Sequence, residues 1–263
     1  MKNEDISMDA LIKSKLRITE EPGPELMRNI MNGRIKEETY MKNKTVKRSF
    51  GLIAVVAAVV ILTTTAFAAW YFLKPSDIAD RFGDTALSAA FESEGAVNIN
   101  ESITSGGYTY TLLAAVSGKE LSDHPVYSNG ELHNDRTYAV LAIQKADGSP
   151  MPSTMDDDYG DPSFYVSPYV KGEKPWQVNI HTMNGGHSEM VLDGVAYRII
   201  ECDTVAVFAD RGLYLGINTG VFYDAQAFIY DEQTGALAVN PAYEGSCALF
   251  TLPIDASLVN PVD

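Results

Sequence analysis

Cysteine, histidine and tryptophan are scarce in this chain of 263 residues, which has two, four and two of them respectively. So few cysteines exclude a disulfide-rich secreted scaffold. The sequence also has no Gly-x-Ser-x-Gly elbow, no phosphate-binding glycine loop, no dinucleotide fingerprint and no His-Glu-x-x-His zinc helix. We therefore predict no catalytic residues and no cofactor, and we expect that the protein is not an enzyme.

Charge is absent from one long apolar stretch, because no residue between Arg48 and Lys74 is charged. As a helix, residues Phe50–Leu73 would span about 36 Å at ~1.5 Å per residue, enough to cross a bilayer core of roughly 30 Å. Arg48 ends a cluster of basic residues, whereas acidic residues follow Lys74, and this predicts a cytoplasmic N-terminus and an extracytoplasmic C-terminus. We therefore predict a single-pass cell-membrane protein that contacts the lipid bilayer through Phe50–Leu73.

Two other interpretations of this stretch stay open. Ala66-Phe67-Ala68 resembles the small-x-small site of a signal peptide, so cleavage after Ala68 is one alternative. Residues 1–49 would then form the basic region of the signal peptide, which is far longer than usual. A buried helix of a soluble domain is the other alternative. We favour an uncleaved signal anchor, because the aromatic residues after Ala69 continue the apolar stretch.

The two sides of the apolar stretch differ in charge. Residues 1–50 carry 11 Lys/Arg and 8 Asp/Glu, whereas residues 51–263 carry 9 and 27. This asymmetry is typical of segments in two compartments. The negative field of the exported part argues against nucleic acid and anionic lipid as partners. A simpler explanation of the acidic composition is that it only keeps the exported domain soluble.

Residues 1–49 are predicted to form a cytoplasmic arm with two short amphipathic helices. The first covers about residues 8–17, and Pro24 is well placed to begin a second that reaches about Tyr40. Too few large apolar side chains occur here for a stable core, so we expect the arm to place its apolar stripe in a groove of a partner. A flexible tail with marginal helices is the alternative. The predicted partner-binding residues are Leu11, Ile12, Leu16, Leu26, Ile30 and Ile35.

The exported part begins with a predicted juxtamembrane helix over residues 74–93, either a stalk or a helix packed on a sheet. From residue 94 apolar and polar residues alternate, and turns such as Gly106-Gly107 and Asp193-Gly194 separate the segments. Residues 94–263 therefore predict a mainly β domain, either an antiparallel β-sandwich or an open barrel. The predicted strands are 97–103, 108–116, 136–145, 163–169, 189–192, 195–201, 204–208, 213–218, 226–230 and 236–240.

Cys202 and Cys247 both lie in the exported part, where a disulfide is allowed. A bond between them would close a loop of about 45 residues and stabilise the fold by roughly 3–4 kcal/mol. Two free, buried thiols are the alternative, because the sequence does not show that the two residues come within bonding range.

Two long connections, Ser117–Asp135 and Asp147–Pro162, are candidates for binding residues. The second contains the acidic run Asp156–Asp161, whose carboxylates could ligate Ca²⁺, although a solvated acidic loop is more common. His181 and His187 would need two further ligands to hold zinc, so surface histidines are the simpler interpretation. We therefore predict no metal site.

An aromatic cluster could instead contact an unknown extracellular ligand, because exposed rings can stack on the sugars of a cell-wall polymer. Alternation along a strand would bury half of these rings, so core packing is the competing explanation. The aromatic residues in question are Tyr159, Phe164, Tyr165, Tyr169 and Trp176.

The layout of the whole chain resembles the anti-sigma-factor-like single-pass membrane proteins of Gram-positive bacteria. It has a short arm with a Pro-Glu-Leu helix start, a basic collar, one spanning helix and an exported β-rich part. That part is similar to a β-rich domain of unassigned function found in such proteins. The strings that carry this second likeness are Gly106-Gly107-Tyr108-Thr109-Tyr110-Thr111-Leu112-Leu113, Arg136-Thr137-Tyr138-Ala139-Val140 and Phe208-Ala209-Asp210-Arg211-Gly212-Leu213-Tyr214-Leu215.

The resemblance implies a function. Such proteins hold an extracytoplasmic-function sigma factor at the membrane, so the arm would bind a sigma factor and the exported domain would sense or bind an envelope signal. Zinc-bearing members use a His-x3-Cys-x2-Cys motif, and the arm has neither histidine nor cysteine, which excludes that subclass. The alternative is a membrane-anchored extracellular module for a cell-wall or carbohydrate ligand, with no regulatory role.

Overall fold

A computed structural model describes residues 72–254 of the chain, and residues 1–71 and 255–263 are not described. The described part is mainly β, with antiparallel sheets and two short helices. The helices are α1 (Pro75–Arg81) and α2 (Thr85–Glu92). The strands are β1 (Val97–Ser105), β2 (Tyr108–Lys119), β3 (Val126–Ser128), β4 (Glu131–His133), β5 (Asp135–Lys145), β6 (Phe164–Val170), β7 (Gly186–Leu192), β8 (Val195–Asp203), β9 (Leu213–Thr219), β10 (Phe228–Tyr230), β11 (Leu237–Val239) and β12 (Cys247–Thr251).

Two helices stand where the sequence analysis predicts one helix. Gly83 has a φ of +80°, in the left-handed region that glycine adopts at little cost, and it separates α1 from α2. The side chain of Asp84 then caps α2 by accepting a hydrogen bond of 2.9 Å from the backbone N–H of Leu87. At the start of α1 the N-cap is Lys74, and Pro75 occupies the first helical position.

The larger sheet has five antiparallel strands in the order β1-β2-β5-β8-β7. Its register shifts once in the β2–β5 pair, where Leu112 lies opposite Leu141 and Ala114 lies opposite Val140. Leu113 is the extra residue of this bulge, so Leu113 and Ala114 both face the helices. The bulge therefore gives the helix-facing side of β2 two successive buried residues.

The second sheet has three antiparallel strands in the order β12-β9-β6. Its edge strand β6 contains Pro168, which lies opposite Leu215 of β9. Proline has no backbone N–H to give to a ladder, so an edge strand is where a sheet tolerates it. The pairs β10–β11 and β3–β4 each form a small two-stranded sheet.

The described elements pack in successive layers. Apolar side chains of α1 and α2 pack on one face of the five-stranded sheet, for example Phe91 against Val140. The other face of that sheet shares a second core with the three-stranded sheet, in which Leu141 and Ile217 are fully buried. The far face of the three-stranded sheet packs against the β10–β11 pair through a third cluster that includes Phe228.

Most predicted strands coincide with observed ones, but two predictions are wrong. Residues 204–208, predicted as a strand, contain a 3₁₀ turn at Ala206–Phe208. The connection Ser117–Asp135, predicted as a loop, contains the end of β2 and the β3–β4 pair. β12 is a strand that the sequence analysis does not predict. The predicted helix at residues 74–93 packs on the sheet as two shorter helices.

Candidate functional site

Several predictions fall outside the described residues. The predicted partner-binding residues Leu11, Ile12, Leu16, Leu26, Ile30 and Ile35 all lie there, as does the predicted transmembrane helix Phe50–Leu73 apart from its last two residues. Neither helix between residues 72 and 254 has the length and apolarity that a membrane crossing needs.

The possible disulfide between Cys202 and Cys247 is not formed in the structure. Both thiols are free and buried, so the alternative that the sequence analysis leaves open is the observed one. Cys202 lies on β8 in the core between the two large sheets, whereas Cys247 lies on β12 in the outer cluster. Burial raises the pKa of the Cys202 thiol to about 12 and that of Cys247 to about 11. Neither sulfur therefore has the thiolate character of a nucleophile.

The acidic loop is shaped by its own backbone hydrogen bonds. The N–H of Ser153 donates to Asp156 Oδ2 over 2.6 Å, and the N–H of Tyr159 donates to the Asp156 carbonyl over 3.1 Å. The hydroxyl of Tyr159 donates to Glu189 Oε1 on β7 over 2.8 Å, which ties the loop to the sheet. Among residues 72–254 no group of three or more His, Cys, Asp or Glu side chains is arranged to hold a metal ion.

The histidines contact different elements. His181 packs its ring against Tyr165 and Phe222, at centroid distances of 5.5 and 5.8 Å. His187 lies on the edge strand β7 and His133 on β4. The zinc alternative of the sequence analysis therefore finds no support in the described region.

The predicted aromatic cluster divides into buried and exposed residues. Phe164, Tyr165 and Tyr169, all on β6, are buried in the sheet interior. Tyr159 and Trp176 are 39% and 48% exposed. The competing explanation of core packing is therefore correct for the β6 residues, and only Trp176 belongs to a larger exposed aromatic group.

That group forms an aromatic surface over the far face of the three-stranded sheet. The ring of Trp176 lies 5.7 Å from Tyr230 in an edge-to-face contact and 6.5 Å from Tyr223. Phe222 is 66% exposed and lies next to Tyr223 in the chain. The aromatic surface is defined here as Trp176, His181, Phe222, Tyr223 and Tyr230.

Buried polar groups position the loops that carry this surface. The side-chain amide of Asn218 on β9 donates to the carbonyl of Phe222 over 3.0 Å. The hydroxyl of Ser167 on β6 accepts a hydrogen bond of 2.9 Å from the N–H of Ile180. Asn179 donates from Nδ2 to the Pro175 carbonyl over 3.0 Å. The loops before and after Trp176 and at Phe222 are thus fixed to the sheet beneath them.

Charged side chains beside the surface are paired. Lys174 Nζ lies 5.5 Å from the centre of the Trp176 ring and 3.5 Å from Glu232 Oε1. Arg211 donates to Glu173 Oε1 over 2.7 Å. The pKa of Tyr223 is raised, first by burial and then by the nearby charge of Asp224, so its hydroxyl stays protonated at neutral pH.

Three buried oxygens beneath the aromatic surface form no hydrogen bond of good geometry among residues 72–254, although the Ser167 hydroxyl lies close enough to both tyrosine hydroxyls to lower their pKa values. They are the hydroxyls of Tyr165 and Tyr169 and the Oδ1 atom of Asn218. Tyr165 and Asn218 are direct neighbours across the β6–β9 ladder, and odd-numbered residues of β6 share the same face. Burial raises the pKa of Tyr165 to about 12, so its hydroxyl keeps its proton and can donate.

A second polar cluster lies where β5 begins and β8 ends in the five-stranded sheet. The buried Arg136 donates to Asp203 Oδ1 over 2.8 Å and to the carbonyl of Asn184 over 3.0 Å. His133 Nδ1 lies 2.9 Å from the same Asp203 oxygen, and Glu201 lies 3.3 Å from Arg136. These contacts hold the β3–β4 pair against the ends of β5 and β8, so this cluster has a structural role.

The sequence analysis misses Phe222, Tyr223 and Tyr230 as members of the aromatic surface. Phe222 and Tyr223 follow Gly220 in an apolar run between two strands, and a loop run of that kind is a signal that could have been used. Contacts of Trp176 with residues far along the chain carry no sequence signal.

The chain matches no protein-family model, no curated protein and no solved structure. The resemblance to anti-sigma-factor-like proteins therefore stays a prediction.

Proposed function

We propose that the protein is a single-pass membrane regulator of the anti-sigma-factor type. Its residues 1–49 bind a sigma-type partner in the cytoplasm, Phe50–Leu73 cross the membrane, and residues 94–263 form an extracytoplasmic antiparallel β-sandwich that binds an envelope signal. The charge asymmetry across the apolar stretch and the layout of the chain support the topology.

The observation that carries the proposal is the exposed aromatic surface of the described domain. The chain enters the described region on the helix side of the five-stranded sheet, where the N–H of Leu73 donates to the Tyr197 hydroxyl over 3.3 Å. The aromatic surface lies on the other side of the three-stranded sheet. An exposed aromatic surface that could bind a ligand suits a sensor of the envelope.

A charge placed on the apolar stripe of the arm tests the regulatory half of the proposal. The variant Leu26→Asp with Ile30→Asp puts two carboxylates where the partner groove requires apolar contact, so it should abolish partner binding. The matched control is Asn29→Asp with Asn32→Asp, which adds the same charge on the predicted polar side. Affinity capture of the full-length protein from membranes, followed by mass spectrometry and a transcription profile, reads the result.

We expect wild type and the control to retain one RNA-polymerase-associated protein that the Leu26/Ile30 variant loses, with a matching change in transcription. Equal capture and an equal transcription profile for wild type, the control and the Leu26/Ile30 variant would contradict the proposal that the protein is a regulator.

A second candidate function is a membrane-anchored extracellular binding module with no regulatory role. The exposed Trp176 and Phe222 favour it, since they support ligand binding irrespective of the arm. This candidate predicts that envelope material is captured equally by all three proteins and that no transcription factor is captured.

A further inference from the structure

We propose that Asn129 is a site of spontaneous modification, at which the backbone nitrogen of Gly130 displaces the side-chain amide and water then leaves a carboxylate. The inference goes beyond the proposed function and does not depend on it, because the reaction needs only water. Two Asn-Gly pairs lie in the described region, Asn129-Gly130 and Asn184-Gly185. Their surroundings differ, and that difference carries the proposal.

The reaction begins with the closure of a five-membered ring. The Gly130 nitrogen gives its proton to solvent base and attacks Cγ of Asn129, the Cγ–Nδ2 bond breaks, and ammonia leaves. Water then opens the resulting succinimide at either of its two carbonyls and gives aspartate or isoaspartate, each with one negative charge. A glycine in the following position favours the attack, because it has no Cβ to crowd the attacking nitrogen.

The turn of the β3–β4 hairpin presents Asn129 and Gly130 to solvent, and both residues are exposed. They follow the last strand pair, Ser128 opposite Glu131, and their φ values of +52° and +83° are typical of a type I′ turn. A Cβ added at Gly130 would meet no atom within 4 Å. Between residues 72 and 254 no backbone hydrogen bond uses the Gly130 N–H, so the attacking nitrogen is free.

The hairpin is weak enough to let Asn129 reach the geometry of attack. Ring closure requires the Asn129 side chain to turn toward the following nitrogen and the backbone to leave the left-handed region. Three residue pairs join β3 to β4, and the facing side chains of Tyr127 and Leu132 are 67% and 49% exposed. A two-stranded hairpin with so little burial is marginally stable in water, so its turn opens without unfolding the larger sheets.

The pair Asn184-Gly185 has the same two residues but is held away from reaction. Asn184 Nδ2 donates to Asp203 Oδ2 over 2.6 Å, and the Gly185 N–H donates to the Ile180 carbonyl over 2.8 Å. A Cβ added at Gly185 would meet the Glu201 carbonyl oxygen at 2.5 Å, so the backbone there has little room to turn. Ring closure at Asn184 requires both hydrogen bonds to break, and this raises its barrier.

Conversion of Asn129 changes the tip of the hairpin in two ways. Both products add a negative charge close to the exposed Glu131, and like charges on facing strands destabilise their pairing. Isoaspartate also adds one methylene group to the main chain, so the two-residue turn no longer matches the twist of its strands. The modified hairpin therefore pairs less tightly than the hairpin that first folds.

The test incubates the full-length protein in detergent micelles at neutral pH and follows two tryptic peptides by mass spectrometry. Peptide 120–136 contains Asn129, and peptide 172–198 contains Asn184. A parallel sample in guanidinium gives the rates for the unfolded chain. We expect the folded protein to gain the mass of amide-to-acid conversion at least about tenfold faster at Asn129 than at Asn184. In guanidinium the two rates should become similar, because glycine follows both residues.

Two substitutions locate the reaction within its peptide. Asn129→Gln should abolish the mass gain in peptide 120–136, because its longer side chain would have to close a less favourable six-membered ring. The matched control is Asn134→Gln, which changes the other asparagine of the same peptide and should leave the gain unchanged. Hydrogen exchange of the β3 amides should become faster as wild type ages and should stay constant in Asn129→Gln.

The inference is overturned if folding slows conversion of Asn129 as much as conversion of Asn184, if fragment ions place the mass gain at Asn134, or if the Asn129→Gln peptide gains mass like wild type. The regulator is decided separately, by the arm variants and their transcription profile, because neither the arm nor the topology takes part in this reaction.

Discussion

The hydroxyl of Tyr110 donates a hydrogen bond to Ser246 Oγ over 2.6 Å and so joins the two large sheets of the domain. The direction of the bond follows from the next contact, because Ser246 uses its own proton to donate to the carbonyl of Ser105 over 2.6 Å. The N–H of Cys247 donates back to Ser105 Oγ over 3.2 Å. The β1–β2 hairpin is thereby fixed to the start of β12.

Two variants separate the contributions at this junction. Tyr110→Phe removes one donor and should lower the free energy of unfolding by about 1 kcal/mol. Ser246→Ala leaves both the Tyr110 hydroxyl and the Ser105 carbonyl without this partner and should lower it by about 2–3 kcal/mol. Chemical denaturation of the full-length protein in micelles measures both. A smaller loss for Ser246→Ala than for Tyr110→Phe would contradict the assigned hydrogen-bond directions.

The adjacent turn allows a matched pair of glycine substitutions. Gly106 has a φ of +53°, and a Cβ added there would meet the Cα of Ser246 at 2.6 Å. Gly107 has a φ of +85° and open space around the added Cβ. Gly107→Ala should therefore cost only the backbone strain of about 1–2 kcal/mol, whereas Gly106→Ala should cost about 1–3 kcal/mol more. Equal losses on thermal denaturation would show that the contact with Ser246 is not tight.

The start of α2 makes stability depend on acid pH. Asp123 Oδ2 accepts hydrogen bonds from Thr85 Oγ1 at 2.7 Å and from the N–H of Ala86 at 3.0 Å, and they lower the pKa of Asp123 below its usual 3.8. Because the pKa of Asp123 is lower in the folded state than in the unfolded state, the charged carboxylate stabilises the fold at any pH above the pKa of the unfolded state. That stabilisation is lost as the pH falls through the pKa of the folded state.

We expect Asp123→Asn to lower Tm at pH 7 and to differ less from wild type as the pH drops below 3.8. Thermal unfolding followed by circular dichroism measures the difference at each pH. Asp157→Asn, in the exposed acidic loop, is the control and should change Tm little at any pH. A difference in Tm between Asp123→Asn and wild type that stays constant down to pH 2 would show that the charge of Asp123 does not contribute to stability.

The cysteines should be chemically silent in the folded protein. Because burial raises the pKa of Cys202 to about 12 and that of Cys247 to about 11, the reactive thiolate is rare at pH 8. We expect no reaction with Ellman's reagent until guanidinium unfolds the chain, and reaction of both thiols afterwards. A gain of two hydrogen masses on reduction, seen by mass spectrometry, would instead reveal a disulfide.

Local patterns predict the hairpins of this domain well, because a glycine turn between alternating segments has a short-range cause. The β1–β2 hairpin at Gly106-Gly107 and the β7–β8 hairpin at Asp193-Gly194 are both observed. The break at Gly83 was also readable, since Asp84 is a good N-cap residue. The helical spacing of the apolar residues favours one continuous helix there and outweighs the capping signal of Asp84.

Long-range packing explains the errors. Val205 is fully buried although it does not lie in a strand, and its N–H donates to Thr137 Oγ1 over 3.0 Å. A buried apolar residue in a turn therefore gives the same alternation of apolar and polar residues in the sequence as one in a strand. The aromatic surface depends on Trp176 meeting Tyr223 and Tyr230, which lie about fifty residues further along the chain. Sequence alone showed one member of this group and could not show its neighbours.

Pro168 has a consequence for how copies of this domain behave when they are crowded together. An open strand edge invites pairing with the edge of another molecule, and such pairing spreads into aggregates. At the edge of its sheet, β6 carries a residue that cannot donate to an incoming strand. All seven residues of β6 are also buried, and the N–H of Ile180 donates to Ser167 Oγ next to Pro168. The edge is therefore covered by the loop that carries Ile180 as well as lacking a donor at Pro168, so two domains meeting along β6 cannot form a continuous ladder.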